Sequence, residues 1–160
     1  MKKGRIFAFL PMIGMMCLIW MFSANSGDVS SGQSMGIVSR VITIGEELTG
    51  HTLTEQERVQ WEERIHTPIR KMAHMTEYMI FALTVAFPFL LYHKSKKWIS
   101  VFTYVYCVGY AGIDEIHQLF VPERAGQLRD VLIDSIGVLV GIILFRVIYG
   151  HRLRNRQAVA

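Results

Sequence analysis

The stretch MAHMTEYMIFALTVAFPFLLY, Met72–Tyr92, decides the fold. It is apolar over roughly the 20 residues a helix needs to cross a hydrocarbon core, yet it carries His74 and Glu77 near its start. Similar runs occur at Ile6–Phe22, Trp98–Ile113 and Val131–Tyr149. The third is short on its own and reaches membrane width by continuing to about residue 116, with its polar groups buried among neighbouring helices. The pattern predicts one all-α integral membrane domain over residues 1–160. It is a four-transmembrane-helix bundle with spans at about 6–22, 72–92, 98–116 and 131–149.

Charge fixes the expected orientation. Threading the runs in order puts Met1–Arg5, His93–Lys97 and the tail from Arg146 on one side. These segments hold Lys2, Lys3, Arg5, Lys94, Lys96, Lys97, Arg146, Arg152, Arg154 and Arg156, with no acid. All 13 Asp and Glu residues fall in the other half. Lys and Arg in short loops mark the cytoplasmic side, so both termini are expected inside. Loops Ser23–Lys71 and Asp114–Asp130 are then outside.

Composition agrees. A charged fraction of 19% in 160 residues, with a mean hydropathy of +0.30, reflects the apolar runs. The net charge of +4 is a topology signal. The basic residues flank membrane runs without aromatic interleaving, which excludes nucleic acid as a partner. Cys17 and Cys107 lie inside membrane runs and read as small core side chains, not a disulfide framework. The N-terminus has the basic start of a secretory signal, with small residues at Ala24 and Ser26. Its apolar run is longer than a signal's roughly 7–15 residues, so it is read as a retained first helix.

The outer loop between the first two spans is expected to hold short amphipathic helices. Met35, Val38, Val41, Ile42 and Leu48 recur at helical spacing. Thr54-Glu55-Gln56-Glu57 is a capping-box pattern and predicts a short helix to about His66, with Trp61 and Ile65 on one face. Thr67-Pro68 then reads as a fresh helix start, Thr67 as N-cap and Pro68 in the first turn. Arg70 and Lys71 in that turn have the wrong sign for a helix N-terminus. Either an anion docks there, or the two cations face solvent or headgroups. Gly137 and Gly141 have the spacing that lets membrane helices approach closely, with Gly109 and Gly112 as the expected matching face.

Three helices each offer a polar stripe at the outer level. Arg70, His74, Glu77 and Tyr78 follow helical spacing, and Lys71 lies on the same side. Asp114, His117 and Gln118 share a face, with Glu115 beside them. Asp130 and Asp134 are one turn apart. Ionisable groups at membrane depth point to function. Clustered carboxylates suit a hard divalent cation such as Mg2+ or Ca2+, with Asp114, Glu115 and Asp130 as its candidate ligands. His74 and His117 suit proton transfer. Arg70, Lys71, Arg124 and Arg129 suit a phosphate or pyrophosphate. The structural alternative is a buried ion-pair network in which Arg70 or Arg124 neutralises Asp114 or Asp130. His74-x-x-Glu77 lacks a nearby Cys and is not read as zinc. Ser23 and Ser26 sit at the right level, but no base is tied to either. His51, His66, His93 and His151 are read as loop or interface residues.

These motifs resemble the VanZ-like family over nearly the whole chain. The matching positions are Arg70-Lys71-x-Ala73-His74-x-x-Glu77-Tyr78, Asp114-Glu115-x-His117-Gln118-x-x-x-Pro122-x-Arg124, and Asp130-x-x-x-Asp134-x-x-Gly137-x-x-x-Gly141. The family's Phe-Ser-x-Gln motif reads Phe22-Ser23-Ala24-Asn25 here, with Asn in place of Gln. Asp134 stands where relatives often have Asn, which argues against its being an obligatory base. The resemblance implies a multi-pass bacterial cell-membrane protein linked to the envelope and to resistance against glycopeptides of the teicoplanin type. It also implies a four-helix core like that of enzymes acting on lipid phosphate headgroups.

The expected function is action at the outer leaflet on a phosphate-linked lipid headgroup or lipid-linked wall precursor, by a hydrolase or transferase. His74, Glu77, Asp114, Glu115 and His117 are the candidate catalytic residues. Arg70, Lys71, Tyr78, Gln118, Arg124, Asp130 and Asp134 are the candidate substrate-binding residues. The alternative is a non-catalytic membrane protein that binds or shields the precursor or a wall-synthesis partner. A transporter fits less well, because the charges cluster on the outer side and not at the midplane.

Overall fold

The computed structural model describes residues 3–92 and 94–157. Lys2 and His93 lie outside the described residues, as do the side chains of Lys3, His151, Arg152, Arg154 and Arg156. Among the described residues every regular element is helical. A short α1 (Lys3–Ile6) leads through a 3-10 turn at Phe7–Phe9 into α2 (Leu10–Ser23). Then come α3 (Gly27–Thr49), α4 (Glu55–Leu91), α5 (Lys96–Gln118) and α6 (Leu128–Gln157). Two of these are long and apolar enough to cross a membrane, α4 and the Leu128–Tyr149 part of α6. Phe7–Ser23 is a shorter apolar segment. Helix α5 carries Lys96 and Lys97 at its start and buried Asp114 and Glu115 at its end.

Local chemistry sets the boundaries. Ser26 Oγ accepts from Val29 N at 3.4 Å to start α3, and Gly50 at φ 68° ends it. That left-handed turn costs glycine little and other residues more. The capping box at α4 is formed: Glu57 Oε2 accepts from Thr54 N at 2.9 Å, and Thr54 Oγ1 from Glu57 N at 3.4 Å. Ser95 Oγ accepts from Trp98 N at 3.2 Å to open α5.

Helix α4 corrects one expectation. It runs unbroken through Thr67-Pro68 for 37 residues, where the sequence predicts a stop near His66 and a restart. Proline lacks a donor for the carbonyl one turn back. Pro68 is exposed, so that carbonyl can turn to solvent while the flanking helical turns continue. A row of free N–H groups at Thr67 is therefore lost as an anion site. The expected outer-loop helices are one long α3 and the first part of α4. Ser34, Val38 and Ile42 are buried on α3, which packs against α4. Met35, Val41 and Leu48 stay exposed.

Helix α4 is the hub, packed against α6, α5, α3 and α2. Tyr78, Phe81, Ala82 and Val85 of α4 form the core with Ile19 of α2, Cys107 and Ala111 of α5, and Val138 and Ile142 of α6. Ala86, Leu90, Ile99 and Phe145 close a second cluster. The glycine pairing differs from expectation. Gly137 and Gly141 lie on the α4 backbone at Met75 and Met79, with no room for a Cβ, whereas Gly109 and Gly112 have open space. The outer surface is strongly apolar: Ile13, Val105, Ile113, Leu139, Ile143 and Val147 are exposed. A soluble monomer rarely shows so much.

The turn from α5 to α6 is tied down from several sides. Gly27 N donates to Pro122 O at 3.2 Å, and Gly126 presses on the Glu115 carbonyl. Glu123 has φ 60°, a left-handed conformation that costs a side-chain-bearing residue roughly 1–2 kcal/mol. The surrounding contacts hold it there, above the site.

Candidate functional site

The middle of α4, the C-terminal end of α5 and the start of α6, with the turn between the last two, enclose a cavity of about 610 Å³. From α4 it is lined by His66, Thr67, Pro68, Arg70, Lys71 and His74, and from α5 by Glu115 and Gln118. The turn adds Glu123, Arg124, Ala125 and Gln127, and α6 adds Arg129, Asp130, Ile133 and Asp134. Nine of the sequence-derived candidates thus meet on one wall system: Arg70, Lys71, His74, Glu115, Gln118, Arg124, Arg129, Asp130 and Asp134.

Two more stand directly behind it. His74 Nδ1 is 3.5 Å from Glu77 Oε2 on the same helix. Asp114 is buried and its Oδ2 accepts from Gln118 Nε2 at 3.2 Å. Gln118 Oε1 in turn accepts from Arg124 Nη1 at 3.3 Å, which links the buried carboxylate to the cavity. Asp134 is buried at the cavity floor, its Oδ1 without a hydrogen-bond partner.

Tyr78 and His117 do not line the cavity, although the Tyr78 hydroxyl is close to Asp114 and Asp134 and His117 is close to Asp114. Successive helical residues are about 100° apart around the axis. Tyr78 is therefore turned from Glu77 into the apolar core, where it is fully buried. His117 is turned the same way from Gln118 and stacks on Trp20 of α2, ring centroids 4.0 Å apart. The Tyr78 hydroxyl and His117 Nδ1 are buried without a hydrogen-bond partner behind the cavity wall.

The cations divide into engaged and available groups. Lys71 Nζ pairs with Asp130 Oδ1 at 2.7 Å. Arg124 donates to the carbonyls of Asn25 and Phe22, both at 3.2 Å, as well as to Gln118. Burial, and then the nearby Arg70 guanidinium, push Arg124 below its ordinary value, as expected where positive charges crowd together. Arg70 has no ion-pair partner among the described residues, although it lies near both His74 and Arg124. Arg129 is exposed at the rim.

The divalent-cation option fits less well. Glu115 Oε2 accepts from Gln127 N at 2.7 Å and Asp130 is paired with Lys71. Among the described residues no three His, Cys, Asp or Glu side chains gather to hold a metal ion. Asp114, Glu115 and Asp130 are not arranged as a ligand set.

His66, Thr67, Gln127 and Ile133 are cavity residues that sequence reasoning missed. The signal for His66 was present: it precedes Arg70 by four and so extends the same stripe. Reading Thr67-Pro68 as a helix break hid it.

The model of the VanZ/LLP1 family matches residues 8–149. The chain belongs to the VanZ/LLP1 family. No curated protein and no solved structure matches it. The VanZ/LLP1 match covers α2 through the apolar part of α6, and therefore every element that contributes to the cavity.

Proposed function

We propose that this VanZ/LLP1 protein acts at the outer face of the bacterial membrane on a phosphate-bearing lipid headgroup or lipid-linked wall precursor. Its four apolar segments cross the bilayer, with both termini cytoplasmic. The observation that carries the reading is Arg70, a cation without an acidic partner among the described residues, beside His74 in a cavity of about 610 Å³. A guanidinium recognises phosphate through its planar fork of donors. His74, with Glu77 behind its Nδ1, is the group that moves a proton at the bound headgroup. Lys71 and Arg124, held by Asp130, Gln118 and backbone carbonyls, shape the positive wall. The reaction class is headgroup hydrolysis or transfer, and no step is routed through a metal.

Binding without turnover is the second reading. It is favoured by the engagement of Lys71 and Arg124 inside the protein, which suits holding as well as reacting. A protein that covers a wall precursor in this way would protect it from a glycopeptide of the teicoplanin type.

The test uses full-length protein in nanodiscs carrying phosphatidic acid or, separately, a polyprenyl pyrophosphate. Arg70→Gln is expected to weaken binding about tenfold or more, the loss of a charge-assisted hydrogen bond. His74→Gln is expected to lower turnover on the order of 10²-fold while binding stays near wild type. Equal binding by wild type and Arg70→Gln would refute the phosphate reading. Binding by wild type with no turnover in either lipid would leave the binder.

A further inference from the structure

The unbroken α4 sets His66, Arg70 and His74 at i, i+4 and i+8 on one stripe of the cavity wall. At 1.5 Å of rise per residue, the two histidine Cα positions stand about 12 Å apart along the axis, with that of Arg70 midway. They are held by different partners. His74 faces Glu77 of its own helix, whereas His66 Nε2 lies 2.8 Å from Ser34 Oγ on α3.

The bonding of Ser34 favours one assignment of the His66 nitrogens. Its side chain is buried, and Oγ lies 3.1 Å and 3.0 Å from the carbonyls of Ser30 and Ser31. A hydroxyl has one proton, and a carbonyl can only accept it. A proton directed at these carbonyls, the usual back-bond of a helical serine, makes Oγ the acceptor toward His66. Nε2 then carries the hydrogen, and the neutral ring keeps its lone pair on Nδ1.

We propose that His66 is a second proton-transfer group of the cavity, positioned by Ser34 and acting opposite His74 across a phosphate held at Arg70. The proposal rests on the phosphate-headgroup reading above. In hydrolysis, His66 Nδ1 takes a proton from water as the water oxygen bonds to phosphorus. The bond from phosphorus to the lipid oxygen breaks, and His74, protonated once the anionic phosphate stands beside it, gives that oxygen a proton. His66 then releases its proton to solvent and His74 regains one. Water and ester are consumed, and alcohol and phosphate are formed. With an alcohol in place of water, the same steps transfer the headgroup. One imidazole on each side of the guanidinium suits displacement in which the attacking and leaving oxygens are roughly in line.

The experiment follows phosphate or pyrophosphate release by 31P NMR from phosphatidic acid or a polyprenyl pyrophosphate, with full-length protein in nanodiscs. His66→Gln keeps hydrogen bonding but removes proton transfer near neutral pH. It is expected to lower turnover about 10²-fold with lipid affinity little changed. Ser34→Ala is expected to alter the pH profile of turnover, and Ser34→Thr to restore it. In 15N spectra of the imidazoles, assigned by comparison with His66→Gln, wild-type His66 is expected as the Nε2–H tautomer, with that preference weakened in Ser34→Ala. Wild-type turnover in His66→Gln, or an Nδ1–H tautomer in the native protein, would overturn the proposal. Absence of turnover by the wild type in both lipids would remove catalysis altogether, and this role with it. Active wild type with an equally active His66→Gln removes His66 alone.

Discussion

At Arg124 one guanidinium joins three parts of the molecule: the end of α2 through Phe22 O, the link to α3 through Asn25 O, and α5 through Gln118. The residue type suggests a phosphate clamp, and Arg124 does line the cavity. Its bonds, however, make it first a staple for the turn that covers the site. A lysine keeps the charge but cannot reproduce the forked donor geometry. Arg124→Lys is therefore expected to lower stability by about 1.5–3 kcal/mol, the range for hydrogen bonds involving a charged group. Thermal unfolding in detergent, followed by circular dichroism, measures this. If the unfolding midpoint were unchanged while phosphate-lipid affinity collapsed, Arg124 would be a ligand-holding group and not a staple. Arg70 presents the opposite case, with charge and position but no internal ion-pair partner among the described residues, and its effect is expected in binding.

At the scale of elements, α4 decides what the sequence could and could not disclose. The polar stripe at Arg70, His74 and Glu77 was legible because helical spacing is a property of the chain itself. So was the capping box at Thr54, a purely local device. The continuity of α4 through Pro68 was not legible, since it depends on an exposed proline tolerated by a helix that α3 supports from outside. Which helix receives Gly137 and Gly141 was also hidden, because small-residue spacing marks close approach without naming the partner. That partner is α4, at the carbonyls of Met75 and Met79, and this contact holds Asp134 and His74 near one cavity. Gly137→Ala would drive a methyl group into the Met75 backbone and is expected to cost about 1–3 kcal/mol as overpacking. Gly109 has nothing within 4 Å of an added Cβ, so Gly109→Ala is expected to be neutral or to gain up to about 1 kcal/mol of helix propensity. Thermal unfolding of the two variants side by side checks the pairing. Equal midpoints would show that α6 does not approach α4 through Gly137.

For the whole molecule, the one-sided distribution of acids and the position of the cavity lead to a single arrangement in the membrane. Glu115, Asp130 and Asp134 line the cavity together with Arg70, Arg124 and Arg129, at the ends of α5 and α6 away from Ser95 and beside the middle of α4. Lys94, Lys96 and Lys97 cluster at the opposite end, between α4 and α5. Short basic loops stay in the cytoplasm, so the cavity is expected to open to the outside and Ser95 to face inward. A background without native thiols makes this measurable. Cys17 is exposed and Cys107 is buried in the core, and both can be replaced by alanine if the variant still reaches the membrane. A cysteine at Leu48, 82% exposed near the end of α3, is expected to react with an impermeant maleimide added to intact cells. A cysteine at Ser95 is expected to react only after permeabilisation. Labelling of the Ser95 position from outside, with Leu48 protected, would invert the protein and place the cavity in the cytoplasm. The phosphate site would then face nucleotides and inner-leaflet lipids, and protection of an external wall precursor would be ruled out. Labelling of both positions from outside would break the four-crossing topology, because α4 and the connection from α3 would no longer lie between them across a bilayer.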